Sequence, residues 1–307
     1  MNAPLFDAKQ VRRAFSRSAA SYDAAAALQH AVEARLLESL DYLDDPALQR
    51  EAPQRVLDLG CGPGRASMVM QKRWPKASIV SLDLALPMLQ QARSAAKRGA
   101  GWLSNPFAHR PAQVCADARA LPLAEGSVDV LFSNLCLQWV EDLDALFAGF
   151  RRVLRPDGLL LLSTFGADTL VELRAAFAQA DEAPHVSPFA TIAQFGDALM
   201  SAGFRDPVLD RDVFALGHPN LASLMRELRA LGATNALTTR RRSLTGRARF
   251  ARAEAAYETL RTPEGELPVT WEVIYAHAWG PPPGAPIRVG GVDEVRVPVS
   301  SLRVRRR

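Results

Sequence analysis

Short apolar runs and helical stripes alternate along this chain, and their order predicts the architecture. Val56, Leu57 and Leu59 form a run without helical spacing, the mark of a strand buried on both faces of a parallel sheet. Ser78 to Asp83, Gln113 to Asp117, Ser127 to Asn134 and Gly158 to Phe165 have the same character. Between them lie helical segments. Arg65 to Trp74 is one, and Pro87 to Lys97, with Met88, Leu89 and Ala92 inward, is another. After Asp142, a good N-cap, Leu143, Leu146, Phe147, Phe150, Val153 and Leu154 mark one apolar face. This alternation predicts an α/β fold on a doubly wound, mostly parallel sheet. Further strands around Pro207 to Ala215 and at Val269 to Trp279 bring the expected sheet to seven strands.

The remaining segments are expected to cover that sheet. Val11 to Leu40 reads as a helical arm, with Leu28, Val32, Leu36, Leu37 and Leu40 at three- and four-residue steps. A lone arm cannot bury such a face, so its partner must be the main domain. Asp168 to Ala180, Thr191 to Ala202, Leu221 to Leu231 and Arg249 to Leu260 read as helices, several of them forming a lid within 165–262. Gly99 to Pro111 is rich in helix breakers and reads as an inserted surface loop. Residues 1–280 are expected to form one domain, with the arm at 1–50, followed by a basic, flexible tail at 281–307.

Composition narrows the class. With 307 residues, 48% hydrophobic and 23% charged, the chain is expected to be soluble and globular. No apolar run approaches the roughly 20 residues of a membrane helix. The first residues lack the layout of a secretory signal, so a cytoplasmic location is expected. Cys61, Cys115 and Cys136 show no C-x-x-C spacing, and the histidines form no metal motif. Neither disulfide nor metal is expected. The tail carries six arginines against two acids, which matches the whole net charge of +4. A neutral body argues against nucleic-acid binding.

Chemistry concentrates at R-V-L-D-L-G-C-G-P-G, Arg55 to Gly64. Gly60, Gly62 and Gly64 permit a sharp turn and close approach of a ligand, and Pro63 suits the first turn of a following helix. A dinucleotide fingerprint, Gly-x-Gly-x-x-Gly/Ala, would place its last small residue at Arg65, which is too large. Asp58 would repel a pyrophosphate but suits the ammonium group of an amino-acid ligand. Asp83, about 20 residues on, is where a strand-end carboxylate accepts both ribose hydroxyls. Ser133 and Asn134 end their strand on the carboxyl side of the sheet, and Gln138 and Trp139 follow close by. The motif resembles that of the class I S-adenosylmethionine-dependent methyltransferases. The resemblance implies cofactor contacts from Asp58, Gly60, Gly62, Gly64, Asp83, Leu84, Asp117, Ala118, Asn134 and Gln138. It places Asp117 and Ala118 against the adenine amino group.

Other stretches resemble one family, the malonyl-acyl-carrier-protein O-methyltransferases of biotin synthesis. They are Ala14 to Asp23, Ser133 to Trp139, Ser163 to Arg174, His185 to Phe189, Gly196 to Phe204 and Arg240 to Arg247. The resemblance implies methylation of the free carboxylate of a malonyl thioester, with S-adenosylmethionine as co-substrate. It implies Arg174 as the cation on that carboxylate, with Tyr22, Trp139 and Phe189 shaping the acyl pocket. An acidic carrier protein implies a basic docking face, expected at Arg240, Arg241, Arg242, Arg247 and Arg249. Two other methyltransferase-lineage functions compete: an assembly factor of respiratory complex I, and an enzyme for another small carboxylic acid. Intact Asp58, Asp83 and glycines weigh against a non-catalytic module. The Gly99 to Pro111 insertion and the basic tail depart from the family pattern.

Overall fold

Strand β1 (Arg55–Leu59) is buried from Val56 onward and pairs on both edges, which accounts for its unbroken apolar run. In the computed structural model, which describes residues 4–44, 51–99, 109–241, 243, 246–289 and 292–295, it lies within a seven-stranded sheet. Its neighbours are β2 (Ser78–Asp83) and β4 (Val128–Ser133), both parallel to it. β3 (Ala112–Cys115) lies outside β2, and β5 (Leu154–Phe165) lies outside β4. The chain therefore winds outward to β3 and returns beyond β1. That reversal opens a crevice at the carboxyl ends of β1 and β4.

The sheet closes with β6 (Arg205–His218) and β7 (Leu267–Trp279). β7 is inserted antiparallel between β5 and β6, giving the order β3-β2-β1-β4-β5-β7-β6. One face of the sheet packs α4 (Arg65–Arg73), α7 (Val171–Ala178), α9 (Leu221–Ala230) and α10 (Arg247–Glu258). The other packs α6 (Leu143–Val153) and α8 (Ile192–Ser201), around Phe147, Phe150 and Phe195. Asp142 caps α6, its Oδ1 accepting from Ala145 N at 2.9 Å. After β2, α5 (Leu86–Gly99) packs Met88 with Ala19, Phe15 and Tyr22 of the arm.

The arm is not one helix. It runs as α1 (Ala8–Ser18), α2 (Tyr22–Ala25) and α3 (Ala27–Glu38), then a 3-10 turn to Asp44. Ser18 and Ser21 hydroxyls donate to the carbonyls of Phe15 and Ser18, the local bonding by which serine competes with helix continuation. The break lets each piece find its own partner. Val11 of α1 packs with Phe6, Ala236 and Leu237, whereas Val32 and Leu36 of α3 enter the main core. Pro63 also differs from expectation. It lies in the turn, and α4 begins at Arg65 with Gly64 as its cap.

Of the segment 281–307, expected as a flexible tail, residues Ile287–Val289 (β8) and Val292–Glu294 (β9) pair as a hairpin. Arg151 secures its approach by donating to the carbonyls of Ala285 and Pro286 at 2.6 and 3.0 Å. Arg242, residues 100–108 and residues 296–307 lie outside the described residues.

Candidate functional site

The glycine turn is held from the neighbouring strand. Gly60 and Cys61 N–H groups donate to the Leu82 carbonyl at 2.8 and 3.0 Å. Gly60, Gly62 and Gly64 have φ of +69°, +50° and +82°, the left-handed region that favours glycine. A Cβ on Gly60 would stand 2.5 Å from Cys136 Sγ. The turn thus lies flush against the residues leaving β4.

Asp83, at the end of β2, accepts from Gly62 N at 3.0 Å and from Ala85 N at 2.7 Å, one bond on each carboxylate oxygen. A lone pair remains on each for a ligand diol. Burial pushes its carboxyl up to about 6. A cavity opens beside it, bounded by Gly60, Gly62, Asp83, Leu84, Asp117, Ala118 and Asn134, with Met88 adding apolar surface. Arg119 grips the Asp117 carboxylate through Nε at 2.9 Å and Nη2 at 2.5 Å, lowering its pKa. Asn134 is committed as a latch. Its Nδ2 donates to the Gln29 carbonyl at 3.1 Å, and its Oδ1 accepts from Ser163 Oγ at 2.7 Å. Gly64 lines none of the cavities described here.

A smaller recess continues this cavity past Gly60 and Gly62. Its floor is Asp58, 2% exposed and hydrogen-bonded by Ser67 Oγ, and its carboxyl is pushed up to about 7 by burial. The arm supplies the opposite wall through Tyr22, Gln29, His30 and Glu33.

On the far side of Trp139 lies a larger cavity of about 410 Å³. Phe15, Tyr22, Leu135 and Trp139 line both this cavity and the one beside Asp83, so the two meet there. Phe6 and Phe15 pack edge-on against Trp139, with centroids 5.9 and 5.6 Å away. Burial, with the Asp83 and Glu33 charges, raises the Tyr22 pKa and keeps its phenol a neutral donor. Phe189 lines the larger cavity and rests edge-on against Phe165. Gln138 lines it too, and not the cavity beside Asp83 where the sequence placed it; Nε2 is held by the Leu135 carbonyl at 2.7 Å. Gln138 Oε1, Trp139 Nε1, Thr234 Oγ1 and Trp271 Nε1 are buried in this lining without a hydrogen-bond partner among the described residues. Such groups call for a polar ligand.

Arg174 stands outside this lining. Leaving the first turn of α7, it donates to the carbonyls of Ala167, Thr169 and Ser187 at 3.2, 3.2 and 3.4 Å. It braces the loops that carry Phe189. The arginines in the lining are Arg229, Arg240 and Arg241. Arg240 pairs with Asp7 at 3.0 Å, while Arg241 and Arg249 share Asp181 at 3.3 and 3.4 Å. Asp181 also accepts from His185, the largest cause of its lowered pKa. Arg247 is exposed. Sequence reasoning missed Phe15, Gln29, Glu33 and Asp181. Gln29 and Glu33 carried a signal, being polar residues on the buried stripe of α3.

Residues 57–162 match the methyltransferase domain family. A malonyl-[acyl-carrier protein] O-methyltransferase of Xylella fastidiosa is 57% identical over 303 residues, 99% of this chain and 98% of the relative. One from Halorhodospira halophila is 44% identical over 307 residues, covering 100% and 99%. A solved Bacillus halodurans protein described as a methyltransferase shares the fold, with TM-score 0.54 and 15% identity, covering 81% of this chain and 99% of that one. The co-substrate is S-adenosylmethionine, and the cavity beside Asp83 fits it: a diol acceptor, an apolar strip and a turn closed to any side chain at Gly60. By this similarity over nearly its whole length, the chain belongs to the malonyl-[acyl-carrier protein] O-methyltransferase family.

Proposed function

We propose that this protein methylates the free carboxylate of a malonyl group carried as a thioester on acyl-carrier protein, giving the ester that primes biotin-precursor synthesis. The observation that carries this reading is the meeting of two cavities at Tyr22 and Trp139. One is shaped for a nucleoside donor, and the other presents unpartnered polar groups to an acyl thioester. The donor supplies an electrophilic methyl on a sulfonium. A malonyl carboxyl is already ionised at neutral pH, so no side chain has to act as base. The protein's work is alignment and exclusion of water, which can supply on the order of 7 to 11 kcal/mol.

Charge favours a cation-free junction. As the oxygen–carbon bond forms and the sulfur–carbon bond breaks, the carboxylate and sulfonium charges cancel. An arginine on the reacting oxygen would stabilise the reactant more than the transition state. The Tyr22 hydroxyl and Trp139 N–H are neutral donors suited to orienting the carboxylate, while Arg174 holds the Phe189 loop.

The acidic carrier docks, in this reading, on the rim marked by Arg240 and Arg241, with Arg247 and Arg249 nearby. Arg242 belongs to the same run of sequence. The test is incubation with S-adenosylmethionine and malonyl-carrier protein, followed by mass analysis for one added methyl group. Reversing Arg247 and Arg249 should raise KM for the carrier-bound substrate and spare malonyl-CoA. Equal effects on both would remove the docking face, and no methylation of either would remove the function.

A further inference from the structure

The recess beyond the glycine turn is built from two parts of the chain far apart in sequence. Asp58 forms its floor, and α3 of the arm brings Gln29 and Glu33 against it. Both arm residues are more than nine-tenths buried, at 8% and 9% exposure. Gln29 Oε1 has no hydrogen-bond partner among the described residues. Glu33 Oε1 lies 2.9 Å from Nε of Arg65, the first residue of α4. Asp58, Glu33 and Gln29, two buried carboxylates and an unsatisfied amide, therefore line one small recess that opens into the donor cavity, and Gln29 borders the larger cavity as well. Burying like charges together is costly unless a cation joins them.

Resting on the donor assignment above, we propose that the N-terminal arm completes the donor site. Glu33 and Gln29 receive the ammonium group of the donor's amino-acid end opposite Asp58, and Arg65 faces its carboxylate. The chemistry matches on each count. An ammonium has three donors and needs three acceptors, which Asp58, Glu33 and Gln29 supply. The Asn134 bond to the Gln29 carbonyl fixes this turn of α3 against the sheet, so the acceptors are preorganised. The glycine motif alone provides only one wall, and the arm confers discrimination for a ligand bearing an amino acid.

The test uses the full chain and two ligands that share the nucleoside: S-adenosylhomocysteine, with the amino-acid end, and 5′-methylthioadenosine, without it. Calorimetric titration of Glu33→Gln is expected to weaken S-adenosylhomocysteine by about tenfold or more, the scale of a hydrogen bond to a charged group. Binding of 5′-methylthioadenosine should be unchanged, which also reports an intact fold. Gln29→Ala should show the same selectivity with a smaller loss. It removes a side chain while leaving the backbone carbonyl that Asn134 holds. Retention of S-adenosylhomocysteine affinity in both variants, or equal losses for the two ligands, would overturn the assignment. Failure of the wild-type protein to bind either ligand would instead overturn the donor site itself.

Discussion

At Gly60 two constraints coincide, a left-handed backbone and a sulfur atom where a Cβ would sit. Gly60→Ala is expected to cost about 1–3 kcal/mol of stability and to abolish binding of S-adenosylhomocysteine. Gly126→Ala is the matched control, because Gly126 has φ of +57° with nothing within 4 Å of a Cβ. It should carry only the backbone strain, on the order of 1 kcal/mol, and bind normally. Thermal melts with calorimetry separate the two, and equal loss of binding would reduce the glycines to a folding role. At this scale the sequence was informative where residue type is dictated by geometry. Gly60, Gly62 and Asp83, singled out by their spacing, line one cavity, whereas Gly64 lines none of the three. Arg174 was not legible in the same way, since nothing in a sequence tells whether a guanidinium meets a ligand or nearby carbonyls.

Among the elements, the strands were the most readable. β2 was predicted to the residue at Ser78 to Asp83, because Ile79, Val80 and Leu82 form a short apolar run between polar ends and the strand is paired on both edges. The arm was read as one helix because Ser18 to Ser21 contains only small residues compatible with helix, and its break adds a distant bond to the local serine bonds. Ser21 Oγ reaches the Ala230 carbonyl at 3.0 Å. Ahead of α1, Phe6 pairs with Leu237 as a β-bridge, and Asp7 both caps α1 at Gln10 N and pairs with Arg240. This strap covers the donor cavity with Phe6 and Val11. Asp7→Ala removes the cap and the ion pair together. It should speed dissociation of S-adenosylhomocysteine severalfold in stopped-flow measurements while leaving the association rate nearly unchanged; an unaltered off-rate would show that the strap plays no part in retention.

For the whole molecule, acidity at the donor site sets a pH dependence. Burial raises the Asp58 and Glu33 carboxyls to about 7 and Asp83 to about 6. A raised carboxyl pKa contributes stability that is complete below the unfolded value and lost as pH climbs through the folded one. The ligand-free protein should therefore lose melting temperature between about pH 4 and 7. His30 and Arg65 line the same recess, Asp23 pairs with His30 and adds to the rise at Glu33, and Arg65 opposes that rise. An ammonium ligand needs the acids ionised, so the stabilisation by saturating S-adenosylhomocysteine should grow with pH through about 7 and then level off. A ligand-induced shift in melting temperature that is constant across this range would contradict it.

Trp139, with Phe6 and Phe15 packed T-shaped against it, lines both cavities. If donor and acyl thioester occupy them as proposed, one indole is a party wall between two tenants, and a substitution made to suit one of them is felt by the other.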